Sequence, residues 1–326
     1  MADIARETGL TLGTVSRALN SEGKYAIAPE TRERVMATAA RLGYRPNLIG
    51  RALAAGTASL ILLISPDPFA PYYVELSRHL SIHAAQDGFT FVSGGTLPQG
   101  GGVGIPANDW LYGVDGMVVC DYLPHQEAYI AEALRLKIPL VGLGVRHPFP
   151  TDYVKVDLYA AAKDLLEHMV EAGSRHLAIM SGPGIEPGDP RWTAFQEVTA
   201  KHGMPATQLP AANQSRASGR NAVVDGFAAK APIDGLFCEN DILAVGAYRG
   251  LVDLGISVPD QVLLAGCDGL EDTLYQAMPI TTIAQPFDRM CETAWKMLRN
   301  RIEGNQDPHR LVEISASLLA RASTSR

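Results

Sequence analysis

Two sets of residues carry chemistry by type and position. The first lies near the amino terminus, where Thr11, Leu12, Gly13, Thr14, Ser16 and Arg17 share one short stretch. Threonine hydroxyls and a helix N-terminus bind phosphate, and an arginine pairs with a guanine edge. The second set follows short apolar runs. Asp67 comes after Leu60–Ser65, Asp121 after Gly116–Cys120, Arg146 after Leu140–Leu143, Asn240 after Gly235–Cys238 and Asp268 after Val262–Gly266, while Arg191 opens the helical stretch that follows His176–Met180. If those runs are parallel strands, their carboxyl ends gather these groups at one crevice. Carboxylates accept from hydroxyl pairs and guanidinium donates in a fork, a combination suited to a polyhydroxylated ligand. Phe69, Tyr72 or Tyr73 can offer a sugar ring an apolar face, whereas Trp192 reads as core. Other readings stay open: an Asp268–Arg191 ion pair, plain turn roles for Asp67 and Asp121, and a lid or packing role for Phe69.

The elements that must position these groups come in two grammars. The first 44 residues read as three short helices, about Asp3–Thr8, Leu12–Asn20 and Pro29–Leu42. Gly9 closes the first and Thr11 caps the second, while Pro29 and Gly43 bracket the third. Ile4, Val15 and Leu19 are expected to meet Val35, Ala39 and Leu42 in a minimal core. Residues 45–57 read as a linker holding one marginal helix, capped by Asn47 and weakened by Gly50. From residue 58, apolar runs alternate with helical stretches such as Tyr73–Gln86, Leu158–Glu171, Trp192–His202 and Leu243–Leu254. Besides the runs named above, Thr90–Ser93 reads as a strand. This is an α/β pattern with parallel strands buried on both faces, and two sheets in that length imply two lobes. The Gly-rich stretch 100–104 reads as a loop.

Composition narrows the class. Hydrophobic residues make up 47% and charged residues 19%, an ordinary globular balance. The longest apolar run, Leu60–Ile64, is too short to span a bilayer, and residues 1–20 lack the apolar core of a signal peptide. Cys120, Cys238, Cys267 and Cys291 form no CxxC pair and read as small buried hydrophobes in a reducing compartment. A cytoplasmic protein without metal or cofactor is expected. The net charge of −7 is unevenly spread: residues 1–56 hold eight Lys/Arg against five acids, which leaves −10 on the remainder. The basic segment is where a polyanion would sit.

The strings TVSRALN, ETRERV, LGYRPN and RALAAG, at these spacings, resemble the headpiece and hinge of the LacI (lactose-repressor/GalR) family. The likeness continues through CENDILAVGAYRGLVDLGISVPDQVLLAGCDG, MPITTIAQPFDRM and LLARAST, and so covers nearly the whole chain. It implies an all-α helix-turn-helix headpiece followed by an α/β two-lobed, periplasmic-binding-protein-like core with parallel sheets. It implies that the second helix reads the major groove through Leu12, Gly13 and Arg17, and that Leu53 is the leucine that wedges open a base step from the minor groove. With Asn20, Lys24 and Asn47, these residues and Thr11, Thr14 and Ser16 form the expected DNA-facing set. For the core, the resemblance places Arg191, Asn240 and Asp268 at effector contacts. The expected effector-facing set is Phe69, Tyr72, Asp121, Arg146, Arg191, Gln214, Asn240 and Asp268.

The chain also departs from the family pattern. Ala28 stands where a Ser or Thr often caps the third helix. Gly144 stands where an acidic residue often follows the fourth strand, and Gln214 roughly where an aromatic often stacks on the ligand. Family members usually carry several more residues before the first helix, so a version extended upstream of Met1 is expected to bind its operator more tightly and with a steeper salt dependence.

The expected organisation is a headpiece at 1–44, a hinge at 45–57 and an effector-binding and dimerisation core at 58–326. Its N-lobe comprises about 58–156 and 286–314, its C-lobe about 157–285 and 315–326. The expected function is a homodimeric DNA-binding repressor gated by a small polar effector, most simply a sugar, with a polyol, sugar acid or nucleoside left open, and with no catalytic activity. The alternatives are a soluble sugar-binding protein or a cleft hydrolase on the same core. Against the hydrolase, Asp67, Asp121 and Asp268 come with no nucleophile elbow, P-loop, dinucleotide motif or metal string.

Overall fold

The computed structural model describes residues 1–19, 27–44, 59–95, 111, 113–144, 148–183, 188–228 and 232–326. The chain divides into two compact units, Met1–Ser59 and Leu60–Arg326.

The first unit holds helices α1 (Ala2–Thr8), α2 (Leu12–Leu19) and α3 (Pro29–Arg41). Gly9 ends α1 in the left-handed region at φ 67°, which turns the chain into α2 without a Cβ penalty. Thr11 accepts from the Thr14 backbone N–H at 3.2 Å and so caps α2. The core is Ile4, Val15, Ala18, Val35 and Ala39, with Leu19 packed partly against it. Leu42, expected in this core, lies past the end of α3 and is 38% exposed; Ala18, one turn beyond Val15, takes the buried place instead. Neither Met1 nor Ala28 caps its helix with a side chain.

The second unit is built on two six-stranded sheets. Strands β1 (Leu60–Ser65), β2 (Thr90–Gly95), β3 (Gly116–Cys120), β4 (Leu140–Leu143), β5 (Asp152–Asp157) and β11 (Leu311–Ser315) form one, in the order β11-β5-β4-β3-β1-β2. Strands β6 (Leu177–Ser181), β7 (Thr207–Pro210), β8 (Gly235–Cys238), β9 (Leu263–Asp268), β10 (Thr281–Ala284) and β12 (Ser317–Leu319) form the other, in the order β12-β10-β9-β8-β6-β7. All pairings are parallel except that of β12 with β10. Strands β5, β7, β10 and β11 escaped the sequence reading: β5, β7 and β11 alternate or are exposed rather than running apolar throughout, and β10 is four residues long and opens on two threonines.

Helices cover both faces of each sheet: α4 (Pro71–Gln86), α5 (Glu127–Arg135), α6 (Tyr159–Glu171), α7 (Pro190–Lys201), α8 (Arg216–Ala228), α9 (Asp241–Asp253) and α10 (Phe287–Ile302). The period of two shows in β1, where Ile61 and Leu63 face one core with α4 and α10, and Leu62 and Ile64 face another with α5. Burial on both faces is why this strand reads as an unbroken apolar run. The chain passes between the two sheets after β5, after β10 and after β11. All four cysteines are free and buried.

Candidate functional site

In each sheet the strand order reverses at one point: between β1 and β3 in the first, between β6 and β8 in the second. A crevice opens beyond the carboxyl ends of strands at such a point. A cavity of about 370 Å³ lies there, between the lobes. Pro66, Tyr72, Tyr73, Asp121 and Gly144 line it from the first lobe. Pro183, Arg191, Gln214, Glu239, Asn240 and Asp268 line it from the second, and Val156, Leu158 and Gln285 from the crossing segments.

Asp121 and Asp268 sit at equivalent places, just past β3 and at the end of β9, and both have positive φ, 61° and 136°. Such backbone is costly for a residue with a side chain and concentrates at functional sites. Tyr73 donates its hydroxyl to Asp121 Oδ2 at 2.5 Å. Gln285 donates to Asp268 Oδ1 at 3.0 Å and accepts from the Tyr72 hydroxyl at 3.3 Å, so a crossing segment ties the two lobes. Burial, then the nearby Asp241 carboxylate, raises the Asp268 carboxyl well above the usual range; Arg191 opposes this. Burial also raises the Tyr72 and Tyr73 hydroxyls.

Arg191 stands on the first turn of α7. Burial disfavours its charge, but Asp189 overcomes this through a bidentate pair, Nε to Oδ1 at 3.0 Å and Nη2 to Oδ2 at 2.8 Å. Nη1 donates to the Glu239 carbonyl oxygen. Three of its five N–H groups are thus engaged within the protein. The Asp189 side chain also accepts from the Arg191 backbone N–H and caps the helix. The partner of Arg191 is therefore Asp189, two residues away, and not Asp268.

The wall beside it is a chain of amides. Asn240 Oδ1 caps α9 by accepting from the Leu243 N–H at 2.8 Å, and its Nδ2 donates to Gln214 Oε1. Gln214 Nε2 donates to Glu239 Oε1, which also accepts from the Gly182 N–H at 3.0 Å. Gln214 occupies this wall with a hydrogen-bonding side chain rather than a stacking ring.

Of the expected effector-facing residues, the structure brings Tyr72, Asp121, Arg191, Gln214, Asn240 and Asp268 to one cavity. Phe69 is 82% exposed and does not line it. Asp67 makes a turn, accepting from the Phe69 N–H at 3.0 Å, and is also absent from the lining. Arg146 lies outside the described residues. Sequence reasoning missed Asp189, Glu239 and Gln285. Glu239 directly follows the run Gly235–Cys238 and was open to discovery by the rule that found Asn240. Trp192 packs partly buried against the main core and stacks on Phe195.

In the first unit, α2 buries Val15 and Ala18 and exposes Thr11, Leu12, Gly13, Ser16 and Arg17 along its start and outer face, with Thr14 half-buried. Arg17 Nε donates to the Gly13 carbonyl at 3.1 Å. Asn20, Lys24, Asn47 and Leu53 lie outside the described residues.

Comparison with known proteins agrees with both units. Residues 1–47 match the model of bacterial regulatory proteins of the lacI family, and residues 166–324 that of the periplasmic binding protein-like domain. The HTH-type transcriptional regulator DegA of Bacillus subtilis is 26% identical over 99% of this chain and 97% of its own length. The ribose operon repressor of Halalkalibacterium halodurans is 27% identical, over 99% and 96%. Among solved structures, the Lac repressor dimer bound to operator and the anti-inducer ONPF aligns with TM-score 0.81 at 22% identity, covering 99% of this chain and 98% of that one. A LacI family regulator from Enterococcus faecium with bound ribose aligns with TM-score 0.71 at 22% identity, covering 82% and 98%. The chain thus joins a headpiece that matches the lacI family of bacterial regulatory proteins, at residues 1–47, to a periplasmic binding protein-like domain, at residues 166–324.

Proposed function

We propose that this protein is a DNA-binding transcriptional repressor whose operator affinity is set by a small polar effector held between the lobes of its core. The observation that carries this reading is the pairing, in one chain, of an α2 helix with an exposed outer face and a cavity lined by polar groups from two lobes. Repressors among its relatives support it, including the ribose operon repressor and the HTH-type transcriptional repressor PurR of Erwinia tasmaniensis, 26% identical over 98% of this chain and 95% of its own length. The ribose-bound neighbour supports a sugar or sugar derivative as effector. The dimeric, operator-bound Lac repressor supports a homodimer on a two-fold operator.

In this reading Leu12, Gly13, Ser16 and Arg17 face base edges, and Thr11, Thr14, Asn20 and Lys24 face phosphate. Residues 45–57, with Asn47 and Leu53, serve as the hinge between the headpiece at 1–44 and the core at 58–326. Asp121, Arg191, Asn240 and Asp268 hydrogen-bond the effector. The protein acts in the cytoplasm and is not an enzyme. No helix among the described residues is long and apolar enough to cross a membrane.

The test is selection of bound duplexes from a random DNA pool, followed by fluorescence anisotropy with and without a sugar library. A pseudo-palindromic site whose affinity changes with one compound is expected. Leu53→Ala should weaken that affinity while the melting of the core stays unchanged, since the substitution removes the apolar wedge that supports a bend. Failure to enrich any sequence would overturn the DNA-binding reading.

A further inference from the structure

Asp241 is wholly buried on the first turn of α9, directly after the cavity-lining Asn240, and does not itself line the cavity. Its carboxylate holds the segment behind Asp268 instead. Oδ2 accepts from the Leu270 N–H at 2.7 Å, and Oδ1 from the Thr282 hydroxyl of β10 at 2.6 Å. The Gly269 N–H is shared: its hydrogen bond favours the charged form of Asp241, and Thr282 Oγ1 accepts from it at 3.3 Å. A Cβ at Gly266, two residues before Asp268, would run into the Asp241 carboxylate, so β9 leaves room for it.

These donors belong to the turn that carries Asp268. Asp268 ends β9 at φ 136°, and Gly269 follows at φ 82°. Two consecutive residues outside the common backbone regions persist only where their surroundings hold them. Successive backbone N–H groups in a turn make an anion-binding concavity. Here the anion is the chain's own Asp241, which draws on the Gly269 and Leu270 N–H groups. Gln285 holds Asp268 through both side chain and backbone, its Nε2 donating to Oδ1 at 3.0 Å and its N–H to the carbonyl at 3.1 Å. Asp268 thus reaches the cavity from a turn clamped by α9 and by the segment that follows β10.

We propose that Asp241 is a positioning residue for the effector site: by holding the Gly269 and Leu270 N–H groups it keeps the turn that presents the Asp268 carboxylate to the cavity. The proposal rests on the reading of the cleft as the effector site. Asp241 meets no effector and acts only through Asp268. Asparagine at 241 keeps the size of the side chain but brings one acceptor oxygen where the Leu270 N–H and the Thr282 hydroxyl use two. The turn then loses a partner, and Asp268 is no longer fixed toward the effector.

Full-chain variants are compared at pH 7.5, above the value of about 6 to which burial raises the Asp241 carboxyl. Hydrogen exchange, read by mass spectrometry over 266–274, should be about tenfold or more faster in Asp241→Asn and in Thr282→Val. It should keep its wild-type rate in Thr282→Ser, and exchange over β1 should be unchanged in all three. Calorimetry uses ribose, ribitol, glucose and galactose as probes. For the tightest of the four, Asp241→Asn should weaken binding about 30-fold or more. The double variant with Asp268→Asn should bind no more weakly than Asp268→Asn alone, because the two residues act as one. Operator affinity without a probe should stay at the wild-type value. Losses that multiply in the double variant, or that reach operator affinity, mark a merely structural role and overturn the proposal. Wild-type exchange or wild-type probe affinity in Asp241→Asn overturns it too. If none of the four probes binds the wild type, exchange alone decides, and an unchanged rate over 266–274 overturns the proposal. Probe affinity untouched by Asp268→Asn would instead overturn the reading of Asp268 as an effector contact.

Discussion

Asp241 is wholly buried on the first turn of α9. Burial pushes its carboxyl up to about 6, against the Thr282 hydroxyl at 2.6 Å and the Leu270 N–H at 2.7 Å, which favour the charge. Its folded value thus lies above the unfolded one of about 4. The native state keeps a proton that the unfolded chain releases, so the stabilisation is full below about pH 4 and is lost as pH rises to about 6. Asp241→Asn cannot titrate. Urea unfolding from pH 4.5 to pH 7 should show the wild type losing on the order of 2–3 kcal/mol relative to that variant. A constant gap would mean that Asp241 ionises normally. Arg191 behaves differently, because it supports structure as well as facing the cavity. Arg191→Ala removes the guanidinium paired bidentately with the buried Asp189 carboxylate, which should cost about 3–5 kcal/mol in unfolding, in addition to the effector response. The double variant with Asp189→Ala should be less destabilised than the sum of the two singles. Additive losses would deny the pair its structural role, and unchanged effector affinity in Arg191→Ala would remove it from the binding site.

Among the elements, α8 and α9 cross with backbone against backbone. A Cβ at Gly246 would collide with the carbonyl of Arg216, and one at Gly219 with the carbonyl of Leu243. Helical glycine normally costs up to ~1 kcal/mol relative to alanine, so Gly→Ala stabilises where space is open. At Gly246 the sign should invert, since the helices must separate, and overpacking typically costs ~1–3 kcal/mol. At Gly13 on α2 the nearest atoms to an added Cβ are Thr11 Oγ1 at 3.9 Å and Arg17 Nη2 at 4.0 Å. Gly13→Ala should therefore stabilise the first unit by about 0.5–1 kcal/mol and, in the proposed reading of α2, change DNA recognition. Chemical denaturation of the two variants gives both signs. Equal destabilisation by both would refute this account of the α8–α9 contact.

For the whole molecule, the proposed repressor reads a two-fold operator with two headpieces, because a pair buries more DNA-facing area than one small headpiece does. Light scattering at micromolar concentration should give twice the chain mass, and operator binding should saturate at two chains per site. A monomer that binds its operator tightly would contradict this.

The sequence by itself determined the architecture and one side of the chemistry. Apolar runs buried on both faces, such as β1 and β3, declared parallel sheets, and rules for strand ends picked out Asp121, Asn240 and Asp268. Family strings fixed the helix-turn-helix, because its turn and caps are local signals carried within a few residues. Strand β5 was harder to read, since alternate residues are only partly buried and dilute its apolar signal. What only the tertiary structure decided is who pairs with whom. Asp189 takes Arg191, Asn240 spends its oxygen on a helix cap, and Gln285 reaches across from a crossing segment to Asp268. Those pairings depend on elements brought side by side from distant parts of the chain and on competition for the same donors. Spacing shows which groups arrive at the cavity; only their packed arrangement shows which partners they take.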